Sequence, residues 1–212
     1  FAVRNIERLD RLVLTDCVCY DNWPVPTVRQ LMRLARIPWL AEHAGRVGLI
    51  EWVERRTRFS SFRRGVVNPA AFPDEAIAEY LRPLRGSSEA RERFRGFLLA
   101  GSSRHTMAVA GLLRELRRPT MILWAEEDVF ISTDWGKRLS EEIPGAVRFD
   151  VVPGAGHFWP EEKPAEFAAR IREFLAAPNI EMERRVRRAG EKPLPVVKPE
   201  KLQCGGRSAG LD

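Results

Sequence analysis

The 212-residue sequence lacks any apolar run of about 18 residues, the length that a helix needs to cross a bilayer. Its first residues also lack the basic and apolar regions of a signal peptide. We therefore expect no membrane partner and a cytoplasmic location. The three histidines lie far apart, and Cys17-Val18-Cys19 is spaced too tightly for a C-x-x-C site. This excludes the usual metal and redox motifs and implies no cofactor.

Charge of one sign is not concentrated anywhere in the chain. The formal net charge is +6, but the arginines are scattered and interleaved with Glu and Asp, and no basic stretch alternates with stacking aromatics. This distribution argues against a nucleic-acid partner. With 44% hydrophobic and 30% charged residues, the composition is that of an ordinary globular protein with one main domain.

Three short apolar runs predict buried strands: Leu12 to Cys17, Thr120 to Trp124 and Val147 to Val152. Near-continuous apolarity is typical of strands that are covered on both faces in a parallel sheet. Helices are predicted after the second strand, capped by Ser132, and after the third strand, from Pro164. The alternation of strand and helix predicts an α/β fold with parallel strands.

These elements divide the chain into four parts. Residues 1–22 hold a core strand and its flanks, and residues 23–117 show only helical periods. Residues 118–176 form a C-terminal core with two strands and their loops. Residues 177–212 are charged and Pro-rich, which predicts a tail without stable structure.

Polar side chains follow each predicted strand. Asp16 ends the first strand, Asp128 follows the second, and His157 follows the third in the Gly-flanked turn Gly154-Ala155-Gly156-His157. In parallel sheets the loops at the carboxyl ends of the strands converge, and ligands bind there. Glycines let such a turn bend sharply and direct the imidazole over the sheet. We expect these side chains to form the site.

The segments Pro119 to Asp128 and Gly154 to Pro164 resemble the acid and histidine motifs of the α/β-hydrolases. With the strand from Arg11 to Asp16, this resemblance implies a partial α/β-hydrolase sheet flanked by helices, with residues 23–117 as an all-helical cap insertion. It also implies that Asp128 is the triad acid and His157 the triad base. Some members of the family place the acid after the earlier strand, which makes Asp16 the alternative acid.

The nucleophile of such a triad is missing. The family places it in a G-x-S-x-G turn, or its Asp equivalent, between a strand and a helix before the acid and the histidine. The only formal match, Gly206 to Gly210, follows His157 and no strand, and Gly101-Ser102-Ser103 lacks the final glycine. We expect the chain to be the C-terminal portion of a hydrolase, inactive alone, with residues 1–8 ending the helix after the elbow.

The implied function is hydrolysis of an ester, lactone or similar bond in a small-molecule substrate. An Asp nucleophile would instead indicate a haloalkane dehalogenase or an epoxide hydrolase. Epoxide hydrolases typically need two tyrosines to hold the epoxide oxygen. This sequence has only Tyr20 and Tyr80, and only Tyr80 lies deep in the cap, which disfavours the epoxide hydrolase. A third hypothesis is a non-catalytic binding module that retains the fold. The sequence leaves the oligomeric state open.

Overall fold

A three-stranded parallel sheet organises the protein, whose computed structural model describes residues 1–178. Its strands are β1 (Leu12–Thr15), β2 (Thr120–Ala125) and β3 (Ala146–Val152), in the order β1-β2-β3. Both pairings are parallel. The predicted α/β class and the three parallel strands are confirmed.

The central strand, β2, is completely buried, because neighbouring strands pair with both of its edges and helices cover both of its faces. Side chains alternate between the faces of a strand. Ile122 and Trp124 therefore pack against Leu139 of the helix after β2, whereas Met121 and Leu123 pack on the side of Phe174. β1 lies at one edge of this sheet and is only half-buried.

Ten α-helices surround the sheet within residues 1–178. Seven lie between β1 and β2: α1 (Pro26–Ala35), α2 (Pro38–Arg46), α3 (Leu49–Arg56), α4 (Ser61–Arg64), α5 (Asp74–Gly86), α6 (Ser88–Ala100) and α7 (Arg104–Ala110). The others are α8 (Thr133–Glu142) between β2 and β3, then α9 (Trp159–Glu162) and α10 (Pro164–Ala176) after β3. Residues 23–117 contain no strand, as their periodicity predicts.

The helix starts follow local chemistry. Proline occupies the first position of α1, α2 and α10, where a helix needs no backbone N–H donor. Ser87 and Ser132 cap α6 and α8, because their hydroxyl oxygens accept hydrogen bonds from the amides of Ala90 and Asp134, both at 3.2 Å. The Ser132 cap matters most, because it begins α8 directly after the loop that carries Asp128.

Two predicted features differ from the structure or fall outside it. Residues 1–8 form two short 3-10 turns, Ala2–Arg4 and Ile6–Arg8, so the expected helix end is wrong. The predicted tail lies outside the described residues except for 177 and 178. Within residues 1–178, no helix is long and apolar enough to span a membrane.

Two glycines in helices provide a test of how tightly the sheet is covered. A Cβ on Gly136 of α8 would lie 2.5 Å from the Trp124 ring and 3.0 Å from Phe149, whereas a Cβ on Gly96 of α6 meets nothing within 4 Å. We expect Gly136→Ala to lower the free energy of unfolding by about 1–3 kcal/mol through overpacking. Gly96→Ala should raise it by about 0.5–1 kcal/mol, because alanine favours helix. Urea unfolding measures both, and equal effects would contradict this packing.

Candidate active site

The loops after β2 and β3 run side by side beyond the sheet. The amide of Glu126 donates to the carbonyl of Val152 at 3.0 Å, and the amide of Glu127 donates to the carbonyl of Ala155 at 3.0 Å. These two hydrogen bonds extend the β2–β3 pairing into the loops. They bring the residue that follows Glu127 next to the turn that carries His157.

Asp128 is fixed by its own loop. Its Oδ1 accepts hydrogen bonds from the amides of Phe130 at 2.7 Å and Ile131 at 2.9 Å, and its side chain is only 1% exposed. A carboxylate that closes its loop in this way has little freedom to rotate. Its Oδ2 remains for a partner outside the loop. The neighbouring Glu126 and Glu127 are exposed.

His157 provides that partner. Its Nδ1 lies 2.8 Å from Oδ2 of Asp128, and its side chain is 20% exposed. The turn before it depends on its glycines. Gly154 has φ +57°, in the left-handed region, and a Cβ on Gly156 would lie 2.5 Å from the carbonyl oxygen of Gly65. The structure therefore brings together the two residues that the motifs single out.

Two aromatic rings flank the imidazole edge-on. The centroids of Phe130 and Phe158 lie 5.2 Å and 4.9 Å from that of His157. Gly65 makes room for them, since a Cβ there would lie 2.5 Å from the Phe158 ring and 2.9 Å from the Phe130 ring. The carbonyl of Gly65 also accepts a hydrogen bond from the amide of Phe158 at 2.8 Å. The helical segment thus touches the site at Gly65.

Glu162 links the histidine turn to the helical segment. Its carboxylate accepts hydrogen bonds from the amide of Gly156 in the histidine turn, at 3.1 Å, and from the amide of Asn68 in the helical segment, at 2.6 Å. Beside it, the hydroxyl of Tyr80 donates to Glu161. None of these roles is predicted from the sequence. Pro160-Glu161-Glu162 belongs to the histidine motif, but nothing in the sequence marks Gly65 or Asn68.

Asp16 has different partners. Its Oδ1 accepts a hydrogen bond from the amide of Ala125 at 2.8 Å, and its Oδ2 accepts bonds from the hydroxyl of Thr15 and the indole Nε1 of Trp159, both at 2.7 Å. Burial raises the pKa of Asp16 to about 6, the nearby charge of Asp128 adds to the rise, and the hydrogen bonds oppose it. Among the described residues, no hydrogen bond or ion pair joins Asp16 to His157.

The chain also matches a known protein family. Residues 2–170 match the model of the alpha/beta hydrolase family, which is well over half of the chain. The chain belongs to the α/β-hydrolase family.

Among curated relatives, the uncharacterized hydrolase YugF of Bacillus subtilis is 32% identical over 63 residues, covering 30% of this chain and 23% of YugF. Epoxide hydrolase 3 of Xenopus tropicalis is 30% identical over 57 residues, covering 27% of this chain and 16% of that protein. The fold is similar to a serine hydrolase from Cycloclasticus zankles, with a TM-score of 0.61 and 20% identity. That match covers 82% of this chain and 58% of the other, so the chain spans only part of its relatives.

Among the hydrogen bonds of residues 1–178, none joins Nε2 of His157 to a serine, cysteine or aspartate side chain. Ser102 and Ser103 lie between α6 and α7, and Gly206 to Gly210 lies outside the described residues. Cys17 and Cys19 are free thiols, but burial raises their pKa values to about 11 and about 12. Both are therefore protonated at neutral pH and are poor nucleophiles.

The raised pKa of Asp16 predicts a pH dependence of stability. The folded state binds the proton of Asp16 more tightly than the unfolded chain does. The stability that this proton contributes to the fold is therefore fully present below pH 3.8 and is lost as pH rises through about 6. We expect Asp16→Asn to remove this dependence. The difference in unfolding free energy between wild type and variant should change by about 2 kcal/mol between pH 4 and pH 7, measured by urea unfolding. A constant difference would contradict the burial of this carboxyl group.

Proposed function

We propose that this chain supplies the base and the acid of a nucleophile–His–acid triad in a hydrolase that cleaves an ester, lactone or related acyl bond of a small molecule. The observation that carries the proposal is the 2.8 Å contact between Nδ1 of His157 and Oδ2 of Asp128. When the carboxylate holds the proton on Nδ1, the lone pair of Nε2 is available to take a proton from a nucleophile. The same nitrogen then returns that proton to the leaving group.

The surroundings of His157 suit this role. The imidazole keeps partial access to solvent, whereas the carboxylate of Asp128 is almost fully buried. Phe130 and Phe158 cover the imidazole edge-on and offer an apolar surface to the acyl part of a substrate. An apolar wall also strengthens the attraction between the imidazolium that forms during catalysis and the carboxylate, because it excludes water.

In this proposal the nucleophile belongs to another segment, and residues of the helical segment form the cap over the substrate. The contacts of Gly65, Asn68 and Tyr80 with the histidine turn support the cap assignment, because they tie the helical segment to the residues around His157. Neither the acid nor the base requires a metal or a cofactor for this chemistry.

Four aromatic polar groups already have partners or are buried, which favours a serine enzyme over an aspartate one that would use them. Nε1 of Trp124 donates to the carbonyl of Ile131 at 3.0 Å and Nε1 of Trp159 donates to Asp16, so neither of these two indoles is a free halide donor. An epoxide site needs two tyrosine hydroxyls that face the substrate. The hydroxyl of Tyr80 donates to Glu161, and Tyr20 is buried under Arg138 against Trp135.

The tautomer of His157 tests the role of Asp128 in the chain itself. We expect ¹⁵N NMR at about pH 8.5, where an ordinary imidazole is neutral, to show a protonated Nδ1 and an unprotonated Nε2. Asp128→Asn should move the proton to Nε2, because the amide of asparagine donates towards Nδ1. Glu127→Gln removes the same charge from an exposed neighbour and should leave the tautomer unchanged. An identical tautomer in all three proteins would refute the pairing.

Hydrolysis of short acyl esters by a full-length protein that contains this chain tests the reaction. His157→Ala should reduce kcat by at least about 10³-fold, and Asp128→Asn by about 10⁴-fold, because the imidazole is lost or carries its proton on the wrong nitrogen. His105→Ala is the control, since His105 is exposed on α7. Equal turnover in wild type and His157→Ala would remove His157 from the mechanism. A folded full-length protein without turnover would favour a binding module.

A further inference from the structure

A cleft of about 420 Å³ lies between α1 and the loop that joins α6 to α7. Arg29, Arg33 and Arg36 line one wall, and Ser102 and Ser103 line the other. None of the eight residues that line the cleft is acidic. It involves neither Asp128 nor His157, so it raises a question separate from the triad.

The three arginines share one face of a helix. They are spaced by four and then three residues, which brings side chains to the same side of α1. Within residues 1–178, no carboxylate lies within ion-pair distance of any of them. Neighbouring helices differ, because many of their arginines are paired with Glu or Asp: Arg55, Arg56, Arg63, Arg82, Arg85, Arg91, Arg93 and Arg95.

The three guanidinium groups are exposed at one cleft and give it a local excess of positive charge, which an anion between them would offset. Nη2 of Arg29 donates to the carbonyl of Pro24 at 3.3 Å, which holds this guanidinium at the rim. On the opposite wall, Oγ of Ser102 accepts a hydrogen bond from the amide of Arg104 at 3.2 Å and keeps its own proton to donate. Both walls therefore offer hydrogen-bond donors, and one of them is strongly positive.

We propose that this cleft binds a small oxyanion, either a carboxylate or a phosphate group. Guanidinium groups bind both in bidentate geometry, and the serine hydroxyls complete the donor set. The volume is within the range of small-molecule sites, so the cleft holds an anionic group together with a short organic part. Binding of this ligand does not require turnover, so it can be tested independently of the triad.

Calorimetry of the chain with inorganic phosphate and with malonate, at low ionic strength, tests the site. The two ligands distinguish a phosphate source from a carboxylate source, and binding of either one supports the proposal. Titration with sodium chloride at the same ionic strength is the control, because it measures the heat that comes from ionic strength alone. In NMR of the wild type, the ligand should shift the amide signals of Ser102 and Ser103. This measurement uses no variant, so it does not depend on whether a variant folds.

A matched pair of triple variants separates a site from net charge. Arg29→Gln with Arg33→Gln and Arg36→Gln should weaken binding at least tenfold. Arg82→Gln with Arg93→Gln and Arg114→Gln removes three charges from exposed arginines elsewhere and should retain the affinity of the wild type. Equal losses in the two variants, or no binding of phosphate or malonate beyond the chloride control, would overturn the proposal.

Discussion

The pairing of β2 with β3, and its continuation into the loops, is the constraint on which the candidate site depends. β2 is buried along its whole length, and after a register shift between Thr120 and Met121 its pairing with β3 is regular from Met121 to Ala125. Two further hydrogen bonds, from the amides of Glu126 and Glu127, carry the register past the strand ends. Asp128 and His157, 29 residues apart in sequence, meet because of this backbone pairing.

The helical segment between β1 and β2 packs against the turn that carries His157. Phe158 follows His157 and packs among Phe62, Phe72 and Phe130, so one ring joins the apolar cluster of the helices to the surroundings of the imidazole. Such packing is possible only because Gly65 and Gly156 approach each other without side chains. A movement of the helical segment would therefore displace Phe158 and, with it, one wall of the site. In the proposed hydrolase, substrate selection by the helices and the position of the base are mechanically linked.

The sheet could be predicted from the sequence, because near-continuous apolar runs are typical of strands that are buried on both faces. The sequence also predicted that Asp128 and His157 would lie together, since both follow parallel strands and strand ends share one edge of a sheet. The roles of Gly65, Asn68 and Glu162 could not be predicted, because contacts between distant segments depend on how the helices dock and leave no periodic pattern in the sequence. The 3-10 turns of residues 1–8 show the same limit, because their short polar and apolar pattern does not distinguish a helix end from a turn.

Asp16 and Asp128 both lie at the carboxyl ends of the strands, but their hydrogen-bond partners differ. These partners, rather than burial, distinguish the roles of the two carboxylates. Asp16 accepts three hydrogen bonds, from a strand amide, a hydroxyl and an indole, so both of its oxygens are engaged in structure. Asp128 uses one oxygen to close its loop and leaves the other for the imidazole. Because Trp159 lies two residues after His157, the bond from its indole to Asp16 anchors the histidine turn to the end of β1. Asp16 is therefore better suited to hold the turn in place than to orient the imidazole, and this division of roles explains why a site with two acids needs only one of them for the proposed triad.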